Sequence, residues 1–269
     1  MTPDAPDSHK RLLAALAQPE PDLVEAALAI AADEYPELDE GALQDHLDAL
    51  ADEVRARIDP AHPLQALTAV LGADHGFRGN VSAYGDPRNA FLNEVLTLRV
   101  GIPISLSLVY QEVARRAGLA VHGIAFPGHF LVGNAQGVLD PFHGGRRLQP
   151  SDLRRLLART APQVSFSPRL LHPASSRQIV VRMLTNLEHI YVGAGDWPRA
   201  LRVVELLLAV APDHPGELRV RARVRQSLGA YAAALADVQH CMALSPHAPD
   251  AVQLRWTAQV LARRAGWQS

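Results

Sequence analysis

The residues of this chain whose types and spacing suggest a common site lie in its middle third: Asn93, Glu94, Ser105, His122, His129, Asp140 and His143. His129 follows Pro127-Gly128 and Asp140 precedes Pro141. A proline fixes φ on entry to a strand, and a glycine lets backbone or ligand approach closely. If 129 opens one strand and 140 closes the next, a hairpin brings imidazole and carboxylate side by side, so the two are expected to be hydrogen-bonded on the floor of a groove. His122, His129, Asp140 and His143 can be drawn as a metal site, but the spacing matches no zinc pattern. Neither a metal nor a cofactor is expected. Arg146-Arg147 and Arg154-Arg155 read as a solvated basic face.

Other chemistries have few candidates. Lys10 is the only lysine, so a Schiff base, a phosphate loop or a Ser-Lys dyad has no candidate outside a polar N-terminal tail. Cys241 is the only cysteine, which rules out an intramolecular disulfide and fits a reducing compartment, so a cytoplasmic location is expected. The tail from Met1 to Lys10 lacks the apolar stretch of a secretion signal. Apolar runs such as 203–211 are too short to span a bilayer, and no membrane association is expected. The net charge of −2, with acids and bases interspersed, gives no nucleic-acid surface. With 48% apolar residues and only 5% aromatics, the core must be mostly Ala, Leu and Val, which suits helix packing.

The elements that position these groups are legible in outline. Leu12, Leu13, Leu16, then Leu23 to Ala31, then Leu43, Leu47, Leu50, Val54 and Ile58 recur at helical spacing, with a break at Tyr35-Pro36. A further helix is predicted over 64–71, an irregular loop over 72–88, one helix over 89–98 and another over 105–117, closed by Gly118. Three β-prone runs follow, 121–126, 129–132 and 137–139, and are predicted to pair antiparallel beside the Ser105 helix. Helical pattern returns at Ser151, and the Pro- and Ser-rich stretch 161–176 reads as a linker.

Beyond the linker the chain repeats itself. Trp197, Ala200, Leu201, Pro212 and Pro215 align with Tyr231, Ala234, Leu235, Pro246 and Pro249, each pair 34 residues apart. That period, with an aromatic, a small residue and a terminal proline, resembles the tetratricopeptide repeat. Two repeats and a closing helix over 252–263 are expected, without strands.

The run from Tyr84 to Gly145 carries a second resemblance. Asp86-Pro87-Arg88-Asn89, Leu92-Asn93-Glu94-Val95-Leu96, Arg99-Val100-Gly101-Ile102-Pro103-Ile104-Ser105-Leu106, Pro127-Gly128-His129-Phe130 and Leu139-Asp140-Pro141-Phe142 follow in the order of the SirB-type transglutaminase-like proteins, in which tetratricopeptide repeats come after this domain. The resemblance spans about residues 40–156. In active transglutaminase-like and papain-like enzymes a cysteine opens a helix after a Gly-x turn, a histidine follows, and an aspartate orients it. The resemblance gives His129 and Asp140 those last two places. The helix after Gly101 has no cysteine, and Ser105 is its nearest nucleophile-capable residue. A serine hydroxyl starts many pKa units above a thiol and needs a placed base and an oxyanion hole, so the exchange seldom keeps activity.

The expectation is therefore an α+β protein in three parts: a transglutaminase-like (papain-like) core with a helical N-terminal region and a small antiparallel sheet over 1–160, a linker over 161–176, and all-α repeats with a capping helix over 177–269. It is expected to act without turnover, as a pseudoenzyme that serves as a protein-interaction or regulatory module through its groove and repeats, with Asn93, Glu94 and His143 as binding residues. The alternative is a hydrolase or acyltransferase using Ser105, His129 and Asp140.

Overall fold

A computed structural model describes residues 7–266, so the first six residues of the N-terminal tail lie outside the described residues. The chain divides into two compact units, up to Met183 and from Leu184 on.

The first unit opens with α1 (Asp7–Ala17), α2 (Leu23–Ala31) and α3 (Glu40–Arg55). The helical pattern before Tyr35 is two helices, because Pro19 and Pro21 cannot continue α1 and Asp22 caps α2 by accepting from Val24 and Glu25. Arg11 ties the three together through Glu25 and Glu40. The predicted helix at 64 is short: α4 (Leu64–Leu67) widens into a π-helical stretch, Thr68–Asp74. The loop beyond carries β1 (Arg78–Gly79), paired in parallel with β2 (Val100–Gly101). A 3₁₀ turn (Pro87–Ala90) precedes α5 (Leu92–Leu98), so 89–98 is not one helix; Phe91, extended at φ −91°, separates the two. The helix after Gly101 is α6 (Pro103–Arg116), which ends on Gly118 at φ +81°.

The sheet is antiparallel, with β3 (His122–Ile124), β4 (Leu131–Asn134), β5 (Gly137–Asp140) and β6 (Arg146–Leu148) in that order. One face, through Ile124, Leu131 and Val138, packs on Leu153, Leu156 and Leu157 of α7 (Pro150–Thr160). Val132 and Leu139, opposite each other in the register, alternate to the other face, and α6 lies against β3 and β4. The stretch 161–176, expected as a linker, is packed instead. Val164, Phe166, Leu170 and Leu171 sit on the same apolar cluster, and the division between units falls inside α8 (Ser176–Ala194). Its apolar residues, rather than its prolines and serines, decide its place.

The second unit continues with α9 (Trp197–Val210), α10 (Pro215–Ser227), α11 (Tyr231–Leu244) and α12 (Ala251–Gly266). Ala200 and Ala234 are both completely buried, as the repeat register requires of its small residue. Cys241 is buried as well, its thiol 3.5 Å from the Pro215 carbonyl, and burial pushes it above the ordinary thiol range. No strand falls in this unit among the described residues, and none of the helices is long and apolar enough to cross a membrane.

Candidate functional site

The site is built on two short turns at the ends of the β4–β5 hairpin. The hairpin closes through Ala135-Gln136, with Asn134 Oδ1 accepting from the Gln136 amide. At its open end, Asp140 is the last residue of β5. His129 does not open β4, however, but sits two residues before it. Gly128 adopts φ +68°, the His129 amide donates to Phe126 O, and the turn stands off from the sheet. A side chain at 128 would meet Thr160 at 2.7 Å, and the Thr160 hydroxyl donates to Pro127 O at 2.7 Å, so the end of α7 holds this turn.

The turn delivers the imidazole to the carboxylate: His129 Nε2 lies 2.9 Å from Asp140 Oδ1. The other carboxylate oxygen, Oδ2, lies 2.7 Å from Nδ1 of His143, which ends a 3₁₀ turn (Pro141–His143). Both are lengths of charge-assisted hydrogen bonds. His129 and Asp140 are buried; His143 is half exposed. Burial pushes the Asp140 carboxyl up, but the hydrogen bonds and charge of His129 and His143 outweigh it and hold it below the usual aspartate range. Phe142 packs edge-on to His129 at 5.9 Å and to His143 at 5.3 Å. Its ring also lies on Gly79, where a Cβ would fall 2.3 Å from it. The hydroxyl of Tyr110, on α6, is buried with no hydrogen-bond partner among the described residues; burial first, and the charge of Asp140 second, push it well above the ordinary phenol range.

The structure does not bring Ser105 into this group. It is the third residue of α6 and only 1% exposed. Its hydroxyl donates to Asn89 O at 2.5 Å and accepts from the Ile102 amide at 3.2 Å, and no hydrogen bond joins it to His129 among the described residues. Asn89 in turn organises the preceding loop, donating to Ala83 O at 2.6 Å and accepting from Asn80 at 3.0 Å. Asn93 and Glu94 are likewise elsewhere. Asn93 lines a separate cleft with Leu38, Ala42 and His46, and its Oδ1 has no hydrogen-bond partner among the described residues; the charge of Glu94 acts on Arg88, away from the site. Of the four groups drawn as a metal site, His129, Asp140 and His143 have ligand atoms within 4.8 Å of one another, while His122 is not part of that group. The three are the residues that could hold a cation; their spacing is also that of the two hydrogen bonds.

His143 and Tyr110 gain their relation to Asp140 only through the fold. The short interval from Asp140 to His143 is the one sequence signal for the first, and nothing in the sequence signals the second.

Comparison with known proteins agrees with both parts of the chain. Residues 41–185 match the transglutaminase-like superfamily, and 187–259 match a tetratricopeptide repeat family. A UPF0162 protein of Xylella fastidiosa (strain Temecula1) is 37% identical, over 83% of this chain and 84% of its own. A UPF0162 protein of Pseudomonas aeruginosa is 32% identical, over 92% and 94%. The human F-box only protein 21 is 29% identical over 62% of this chain, but over only 28% of its own length.

Proposed function

The chain belongs to the transglutaminase-like superfamily and, within it, to the UPF0162 family, and on that footing we propose that it is a binding module rather than a turnover enzyme. The observation that carries this is the state of Ser105. At the start of the helix where the superfamily's nucleophile is expected there is no thiol, and the nearest hydroxyl is buried and engaged with Asn89 O. A hydrolase or acyltransferase built on Ser105, His129 and Asp140 would need that hydroxyl to leave Asn89 and turn toward the histidine. The His129–Asp140 pair then serves to shape a groove, and the helical repeats dock a protein partner, as such repeats commonly do. We place the protein in the cytoplasm on its single buried thiol and group it with the SirB-type proteins.

Ser105→Ala separates the readings. Co-purification of the intact protein, read by mass spectrometry, is expected to return the same partner with and without the substitution. Stability should fall by about 1–2 kcal/mol, the loss of a helix-end hydrogen bond. A turnover that disappears in Ser105→Ala while the fold persists would overturn the module reading.

A further inference from the structure

The four arginines that read in the sequence as one solvated face are sorted by the fold. Arg147 turns to Gln136 O at 2.6 Å, and Arg154 stacks over the Phe166 ring at 5.3 Å. Arg146 and Arg155 go the other way. With Arg159, Asp152, Asp140 and His143 they line a cleft of about 450 Å³ whose apolar part is Leu148 and Leu156. Arg146 and Arg155 share a single carboxylate, Asp152 Oδ1, at 2.8 and 2.6 Å. Arg159 has no hydrogen-bond or ion-pair partner among the described residues, and neither has Nε2 of His143, whose other ring nitrogen is fixed by Asp140.

We propose that this cleft binds a glutamate- or aspartate-bearing peptide segment, with the carboxylate received by Arg159 and steadied by Arg146 and Arg155. Three guanidiniums against the carboxylates of Asp140 and Asp152 leave an excess of one positive charge before either histidine is protonated. That excess is neutralised by a single monoanion, whereas a phosphate dianion would leave the filled cleft with a net negative charge. The planar fork of an unpaired arginine matches a carboxylate in two-point contact. Leu148 and Leu156 beside it accept the aliphatic stem of a glutamate and an apolar neighbour in the peptide. The inference rests on the reading of the His129–Asp140 groove as a binding surface, and it adds the chemistry of what is bound.

The test is fluorescence anisotropy of the full-length protein with a short labelled peptide carrying glutamates among leucines and alanines. The same peptide with glutamine, and inorganic phosphate as competitor, complete it. The glutamate peptide is expected to bind at least about fivefold more tightly than the glutamine one, the size of a partly shielded ion pair. Arg159→Glu should remove that difference without moving the melting temperature, since Arg159 holds nothing in the free protein. Arg263→Glu, an exposed charge reversal on α12, should leave it intact. Equal binding of the two peptides, binding that survives Arg159→Glu, no binding at millimolar peptide, or phosphate binding more tightly than the peptide would each overturn the proposal. Retention of the co-purified partner by Arg159→Glu alongside any of these results would leave the module reading standing and remove only the acidic ligand.

Discussion

Asp140 in the first unit and Glu188 in the second are buried to nearly the same depth, at 3% and 4% exposure. They titrate in opposite directions. Asp140 lies between two imidazoles and is held below the ordinary range. Glu188 meets another carboxyl, that of Glu217, and burial together with that neighbour pushes it up to about 8. Depth alone therefore does not decide the state of a buried acid; the partner does. The second unit also shows the alternative solution, since Asp237, 3% exposed, is clasped by Arg221 at 2.7 Å and Arg225 at 2.8 Å. The first unit places Asp140 where a ligand could use it. The repeats use theirs between helices.

Substitutions break this contrast in a definite order of size. Asp140→Ala leaves two imidazoles facing a void, and urea denaturation should show a loss of about 3–4 kcal/mol, as when one member of a buried ion pair is removed. That loss should shrink under acid, because a carboxyl depressed in the folded state contributes stability above the ordinary aspartate pKa of about 3.9 and loses it as pH falls through its lower folded value. Glu188 has the reverse sign. Its unfolded form releases a proton near pH ~4.3 and its folded form near 8, so between them the folded state holds more protons and stability falls as pH rises. Glu188→Gln should flatten that slope and add about 1–2 kcal/mol at pH 8 while changing little at pH ~4. A stability–pH curve that keeps its slope in Glu188→Gln would erase the contrast. The smallest effect is expected at Arg264, which stacks over Tyr231 at 5.3 Å on the exposed rim of the repeats; Arg264→Ala should cost about 0.5 kcal/mol in the same assay.

What the sequence made legible follows from how local each signal is. The 34-residue register survives because every repeat must place a small residue in the same crowded spot, and Ala200 and Ala234 do so. The pairing of His129 with Asp140 could be argued from the hairpin between them, although the argument set the histidine on a strand when a glycine turn carries it. The strand at Arg146–Leu148 escaped because two arginines and a leucine on an edge carry no alternating apolar pattern. The burial of Ser105 escaped for another reason. A serine early in a helix reads first as a cap and only second as a nucleophile, and it is Asn89 O, sixteen residues back in the chain, that shows what the hydroxyl bonds.

Gly79 is neither acid, base nor ligand, and it lies fifty residues upstream of His129. Its lack of a side chain is nevertheless what admits the ring of Phe142, and that ring is the wall against which the imidazole rests. Genetic change at position 79 would therefore be felt as a shifted histidine. To anyone ranking positions by tolerance to substitution, this chemically silent glycine should sort with the titrating residues rather than with its own loop.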